Sequence, residues 1–189
     1  TRRQRQMCIR DSYYRGYIYF SKEDYSLAER AYKNLIAEED SSDQERQGAI
    51  YSLSQLRYIA EDYKGSISYL LEWLDNEEEP SSDGYGLLAQ AYYQVENFQK
   101  SVEAIDTAIE IQESRDIPIK VAVLDAEGNE TGEMIETGET RKGVAKENHY
   151  LLKMALYSEL KKDLEVLPIY EILVQYYPCL LYTSDAADE

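Results

Sequence analysis

The residues best suited to chemistry are few. The chain has one histidine, His149, two cysteines, Cys8 and Cys179, and 37 acidic side chains among 189 residues. Covalent or general acid–base catalysis needs a nucleophile, a base within reach and a group that orients the base; no stretch of this sequence collects those types. His149 precedes Tyr150 and falls in the first turn of an expected helix. With no second imidazole or convergent carboxylates nearby, it is expected to be a partly exposed helix-start residue, neither catalytic nor a metal ligand. The acidic runs Glu38-Glu39-Asp40 and Glu77-Glu78-Glu79 fall at helix ends and loops, where charge is normally solvated. Asp125-Ala126-Glu127-Gly128-Asn129 lacks the alternating ligands of a calcium loop and reads as a turn. Glycine-rich phosphate loops and nucleophile elbows are missing. The expectation is a non-enzymatic chain with no catalytic residue, no metal and no cofactor.

Tyrosine is the type that stands out, with 19 against two phenylalanines. Its ring offers apolar contact area at low entropy cost and its hydroxyl a hydrogen bond, which suits a protein-binding surface. The net charge of −17 excludes a phosphate-backbone partner, because nucleic acid requires a cationic face. No stretch approaches the roughly 20 consecutive apolar residues of a membrane span, so direct membrane insertion is not expected.

The two ends carry an unusual relationship. Residues 2–11 can be encoded by CGT CGG CAG CGT CAG ATG TGT ATA AGA GAC, with AG then opening the Ser12 codon. The reverse complement of that string, entered one base into the codon of Pro178, encodes residues 179–188. Independent protein ends have no reason to be reverse complements, so 1–12 and 179–189 are expected to be translated sequencing adapter. Both cysteines lie in those ends, which removes thiol and zinc-cysteine chemistry from the remainder. The ends carry four basic and four acidic residues, so 16 basic against 33 acidic residues still leave −17.

Self-similarity organises the rest. Tyr25, Tyr63 and Phe98 are each followed three residues on by a small residue (Ala28, Ser66, Ser101), then by Tyr32, Leu70 and Ile105, then by Leu35, Trp73 and Ala108. A second helical pattern precedes each, with Gly16 and Tyr19, Ala89 and Tyr92, and Met154 and Tyr157. Each unit is therefore a helix pair, and helices are expected at 13–22, 25–38, 43–60, 63–76, 82–95, 98–113, 147–160 and 164–176. The fourth unit is displaced by the surplus at 114–145, where helical periodicity vanishes. Ile119 to Leu124 reads as a strand, Asp125 to Gly132 as a turn, and Glu133 to Thr137 as the returning strand, placing Val121 and Val123 opposite Met134 on an exposed apolar edge. One amphipathic pair cannot bury its apolar stripe alone, so pairs must stack.

These columns resemble the tetratricopeptide-repeat (TPR) consensus, in which a small residue lets the first helix (A) of a repeat approach the second (B), and a proline closes the repeat. The resemblance implies an all-α, right-handed helical solenoid of about four repeats, with units one to three at 13–113, an inserted hairpin at 114–145 and a fourth unit at 146–178. Arg57 departs from the expected helix-A aromatic, and Asp163 stands in the aromatic column unless the register slips by one. The family's ligand-facing columns map onto Tyr13, Tyr17, Phe20, Tyr51, Gln55, Tyr58, Gln90 and Tyr93. The TPR co-chaperones that clamp a terminal carboxylate place Lys, Arg and Asn there, whereas these positions are aromatic or amide. An extended or helical protein segment with apolar anchors is the implied partner, with Val121, Val123 and Met134 as a second contact. The stretch Lys146-Glu147-Asn148-His149-Tyr150, running on to Tyr177-Pro178, resembles bacterial periplasmic TPR proteins that accompany TonB-type systems, which favours an envelope location. The alternative is a regulatory arm of a larger enzyme.

Overall fold

The computed structural model describes residues 13–77, 81–124 and 130–178. The adapter-like ends and the expected turn at Asp125–Asn129 lie outside the described residues. In chain order the elements are α1 (13–21), α2 (Tyr25–Ala37), α3 (Asp43–Ile59), α4 (Tyr63–Asn76), α5 (Ser82–Gln94), α6 (Phe98–Glu113), β1 (Asp116–Leu124), β2 (Glu130–Lys142), α7 (Glu147–Glu159) and α8 (Asp163–Tyr176). The helices fall within a residue of the expected bounds. The chain divides into two compact units, one through Ile105 and one from Asp106.

Each helix pair is joined by the same three-residue connection, and its cause is local. The middle residue is left-handed without being glycine: Glu23, Glu61, Glu96 and Lys161 have φ of 61°, 59°, 59° and 56°. That conformation closes a Schellman-type end, in which the next amide returns to a carbonyl five residues earlier. The bonds are Asp24 to Tyr19, Asp62 to Arg57, Asn97 to Tyr92 and Lys162 to Tyr157, at 2.9, 2.9, 2.9 and 2.8 Å. The receiving residue then caps the second helix. Carboxylate or amide oxygens of Asp24, Asp62 and Asn97 accept from the amides of Leu27, Gly65 and Lys100, satisfying donors the helix start would leave orphaned. Lys162 has no such oxygen, and α8 starts without a side-chain cap. Asp163, two residues after Lys161, occupies the position of Tyr25, Tyr63 and Phe98, so the register does not slip.

In the first unit the small residues do what their size allows. Ala28, Ser66 and Ser101 are fully buried, as are Ser54 and Ala89 on the facing helices, and the Ser101 hydroxyl donates to the Ala89 carbonyl at 2.6 Å. Tyr32, Leu70 and Ile105 fill the joints at 1% exposure or less, each burial worth about 1.5–3 kcal/mol. Arg57, in place of the aromatic, reaches back to Glu29 on α2 and lies 3.6 Å from Asp62. Lys33 and then Arg57 hold the Glu29 carboxyl below its usual range against a burial effect that opposes them.

The second unit contains the hairpin, and its register corrects the expected one. Val121 faces Ile135 and Ala122 faces Met134, so Val121 and Val123 are not opposite Met134. Both strands are also longer than expected. The cause is a Thr-Gly-Glu triplet that occurs twice, at 131–133 and 137–139. Gly132 and Gly138 take φ of 82° and 81°, which favours glycine, and the Thr131 and Thr137 hydroxyls donate to the carbonyls of Val123 and Ile119 at 2.9 and 3.2 Å. Each triplet makes a bulge that carries β2 past one residue of β1.

The chain leaving the hairpin is fastened to its surroundings. Gly143 donates to the Arg115 carbonyl at 2.8 Å and Lys146 to Gln112 Oε1 at 2.7 Å. The Tyr150 hydroxyl donates to Glu113 and accepts from the Ala145 amide, and the Tyr177 hydroxyl donates to the Ala145 carbonyl. Burial, reinforced by the Glu113 carboxylate, raises the pKa of Tyr150 well above the usual tyrosine value. This packing also corrects the expectation for His149. It is 3% exposed, because the first turn of α7 is pinned by the same network and turns the imidazole inward.

Candidate partner-binding face

The eight expected groove residues stand in three columns set by the left-handed turn. Tyr13 and Tyr51 lie ten residues before it, Tyr17, Gln55 and Gln90 six before, and Phe20, Tyr58 and Tyr93 three before. Equal offsets on helices of equal pitch give equal faces, so α1, α3 and α5 present these side chains in register.

The columns differ in what they touch. Phe20, Tyr58 and Tyr93 each lean on the first aromatic of the following helix: Tyr25, Tyr63 and Phe98, with ring centroids 6.0, 5.3 and 5.6 Å apart. Each of these rings thus helps to hold its own repeat together. Tyr17 is the most open, at 58% exposure. Gln55 hydrogen-bonds Tyr51, whose pKa is raised first by burial and next by the charge of Asp83, with the Gln55 bond opposing. Burial likewise raises Tyr58, against a bond from Gln94. These hydroxyls stay neutral and able to donate at any physiological pH. Gln90 is half-buried.

Tyr13 and Tyr51 border one cavity of about 480 Å³ together with Tyr14, Gln47, Gly48, Trp73 and Glu77. It exists because two glycines admit rings where a side chain would collide. A Cβ on Gly48 would sit 3.0 Å from the Tyr13 ring, and one on Gly84 would sit 2.1 Å from Trp73. Trp73 thereby seats on the first turn of α5 while its ring lies 4.7 Å from that of Tyr51. The sequence marked Trp73 as a joint residue but not as part of a cavity wall. Tyr14, Gln47 and Glu77 were missed, because helical spacing alone does not say which rim residues converge.

The hairpin residues Val121 and Met134 are 43% and 58% exposed, Ile135 is 56% exposed, and Val123 is half-buried. Among the described residues no group of three or more His, Cys, Asp or Glu is placed to hold a metal, and no helix is long and apolar enough to cross a membrane.

No protein-family model matches the sequence, and a comparison with curated proteins finds no relative. Solved structures do resemble the fold. A MamA crystal structure is 15% identical, covering 90% of this chain and 73% of its own, with a TM-score of 0.65. Pseudomonas aeruginosa pilF is 15% identical over 96% of this chain and 67% of its own, at 0.61. YrrB, described as a TPR protein with an unusual peptide-binding site, is 13% identical over 86% of this chain and 66% of its own, at 0.59. With its repeated helix pairs and buried small-residue seams, interrupted by a β-hairpin, this chain has the tetratricopeptide-repeat fold.

Proposed function

We propose that the chain is a protein-interaction scaffold whose helix-A face in the first three repeats docks an extended or helical segment of a partner protein. In this reading residues 13–113 are three repeats, 114–145 an insertion and 146–178 a fourth repeat. The observation that carries it is the registered set of aromatic and amide side chains. Tyr13, Tyr17 and Phe20, then Tyr51, Gln55 and Tyr58, then Gln90 and Tyr93 offer rings and hydrogen-bonding groups at matching positions along successive helices. A segment laid across them gains apolar contact and satisfied polar groups together, the combination that concentrates binding energy in few residues. The peptide-binding site of YrrB, a protein of the same fold, supports the reading.

The hairpin is a second contact in this proposal. Val121, Val123 and Met134 border a two-stranded sheet whose β2 edge is interrupted by both bulges, so a partner strand adds to β1.

The test is selection of peptides from a displayed random library on the full chain, followed by affinity measurement. Replacing Tyr17, Tyr51 and Tyr93 with Ser, with helicity checked by circular dichroism, is expected to weaken the selected peptides about tenfold or more. Unchanged affinity in a folded triple variant refutes the groove. Deleting 117–137 addresses the hairpin in the same assay, and full binding by the deletion removes that contact.

A further inference from the structure

We infer that the cavity between Tyr13, Tyr14, Tyr51 and Trp73 receives the guanidinium of an arginine side chain on the docked segment. The inference rests on the groove reading and names what the partner must present at one point.

The cavity wall pairs aromatic rings with acceptors. Four of its lining residues are aromatic and two, Glu45 and Glu77, are carboxylates; none is cationic. Arg46, the nearby cation, is turned to the Ser41 hydroxyl and the carbonyls of Glu38 and Glu39 at 2.7, 3.0 and 3.0 Å. At the rim the Glu45 carboxylate accepts from the Ser42 amide and hydroxyl. The Gln47 Oε1, in the same wall, is buried without a hydrogen-bond partner, an acceptor that a donor entering the cavity satisfies once the amide turns. A cation over aromatic faces is attracted by the ring quadrupole, more strongly where water is excluded. Trp73, the best ring for this, is 8% exposed.

The acceptors decide which cation. A quaternary ammonium has no N–H to give to Glu77 or Gln47. Lysine donates but does not stack. Arginine is planar, stacks on rings and carries five donors in a fixed fork. The net charge of −17 draws a basic segment toward this face.

Trp73 is the only tryptophan, so its fluorescence reports on the cavity directly. Titration of the full chain with N-acetyl-arginine amide is expected to give a saturable change. The neutral isostere N-acetyl-citrulline amide should bind at least tenfold more weakly, as should arginine amide on a Glu77→Gln variant that retains its circular dichroism. An unsaturable response, or equal responses to the arginine and citrulline amides, overturns the arginine site. So does tetramethylammonium binding as well as arginine amide. The two readings fail distinguishably: library peptides that lose affinity in the Tyr17, Tyr51 and Tyr93 variant yet contain no arginine overturn the site and leave the groove standing. A saturable arginine response with no selectable peptide keeps the site and removes the groove.

Discussion

Replacing Glu61 with glycine should stabilise the protein, a direction opposite to that of most glycine substitutions. Glu61 has φ of 59° and its side chain is exposed, so the change removes a Cβ from a left-handed residue and little else. Left-handed backbone costs an L-residue roughly 1–2 kcal/mol. Glycine escapes that cost but gives up about 0.5–1 kcal/mol more backbone entropy on folding. The net expectation is about 0.5–1 kcal/mol of added stability, and the same holds at Glu23 and Glu96. The three sites lie in separate repeats with no shared partner among their turn bonds, so their effects should add to about 1.5–3 kcal/mol. Each change also removes one negative charge from a strongly acidic chain, which alone would be mildly stabilising. Glu110→Gly, exposed and inside α6, makes the identical charge change in helical backbone and should instead cost about 0.5–1 kcal/mol. Urea unfolding followed by circular dichroism at fixed pH and salt separates the two, provided the slope with denaturant is unchanged. If the turn variants fall in stability alongside Glu110→Gly, the left-handed closure is not what shapes these connections.

Other consequences follow from the same packing. Trp73→Ala should cost about 3–5 kcal/mol, and Gly84→Ala should be destabilising by about 1–3 kcal/mol despite the better helix propensity of alanine, because its Cβ enters the Trp73 ring; both are read from urea midpoints. Tyr150→Phe leaves the buried Ala145 amide without its acceptor and should cost about 1–3 kcal/mol, with faster amide exchange at Ala145. Burial raises the pKa of Tyr150, and likewise of Tyr32, Tyr51 and Tyr58. Below the ordinary tyrosine value of about 10 both folded and unfolded chains hold these protons, so stability is flat in pH. Above it the unfolded chain releases protons that the folded chain retains, so stability falls. Thermal melts between about pH 9 and 11 should show that fall, less steeply in Tyr150→Phe.

The helix pairs were legible because they depend on side-chain type at fixed spacing. A small residue such as Ala28, Ser66 or Ser101, a large apolar one four positions later and a further apolar one three after that can be read without coordinates, since helical pitch converts spacing into a face. The columns of the proposed groove were legible in the same way. Column membership follows from pitch, so Tyr17, Gln55 and Gln90 could be aligned, but not that Phe20, Tyr58 and Tyr93 pack on the first aromatic of the next helix. The inserted hairpin was visible as lost periodicity, while its register was not. At each Thr-Gly-Glu triplet three residues of β2 stand against one of β1, so each bulge moves the pairing by two residues, a shift that alternation of side chains does not reveal because it leaves their faces unchanged.

What tertiary structure alone decided is which side chains from different repeats meet. His149 is inward because Tyr150 and Tyr177 fasten the chain on either side of Ala145, a set of contacts spanning more than 30 residues of sequence. The cavity between Tyr13, Tyr51 and Trp73 forms where Gly48 and Gly84 let rings from neighbouring helices approach. Periodicity specifies a helix face through local geometry, which the order of residues contains. Convergence of two faces depends on the distance and angle at which helices pack, and those emerge only when every buried volume is filled at once.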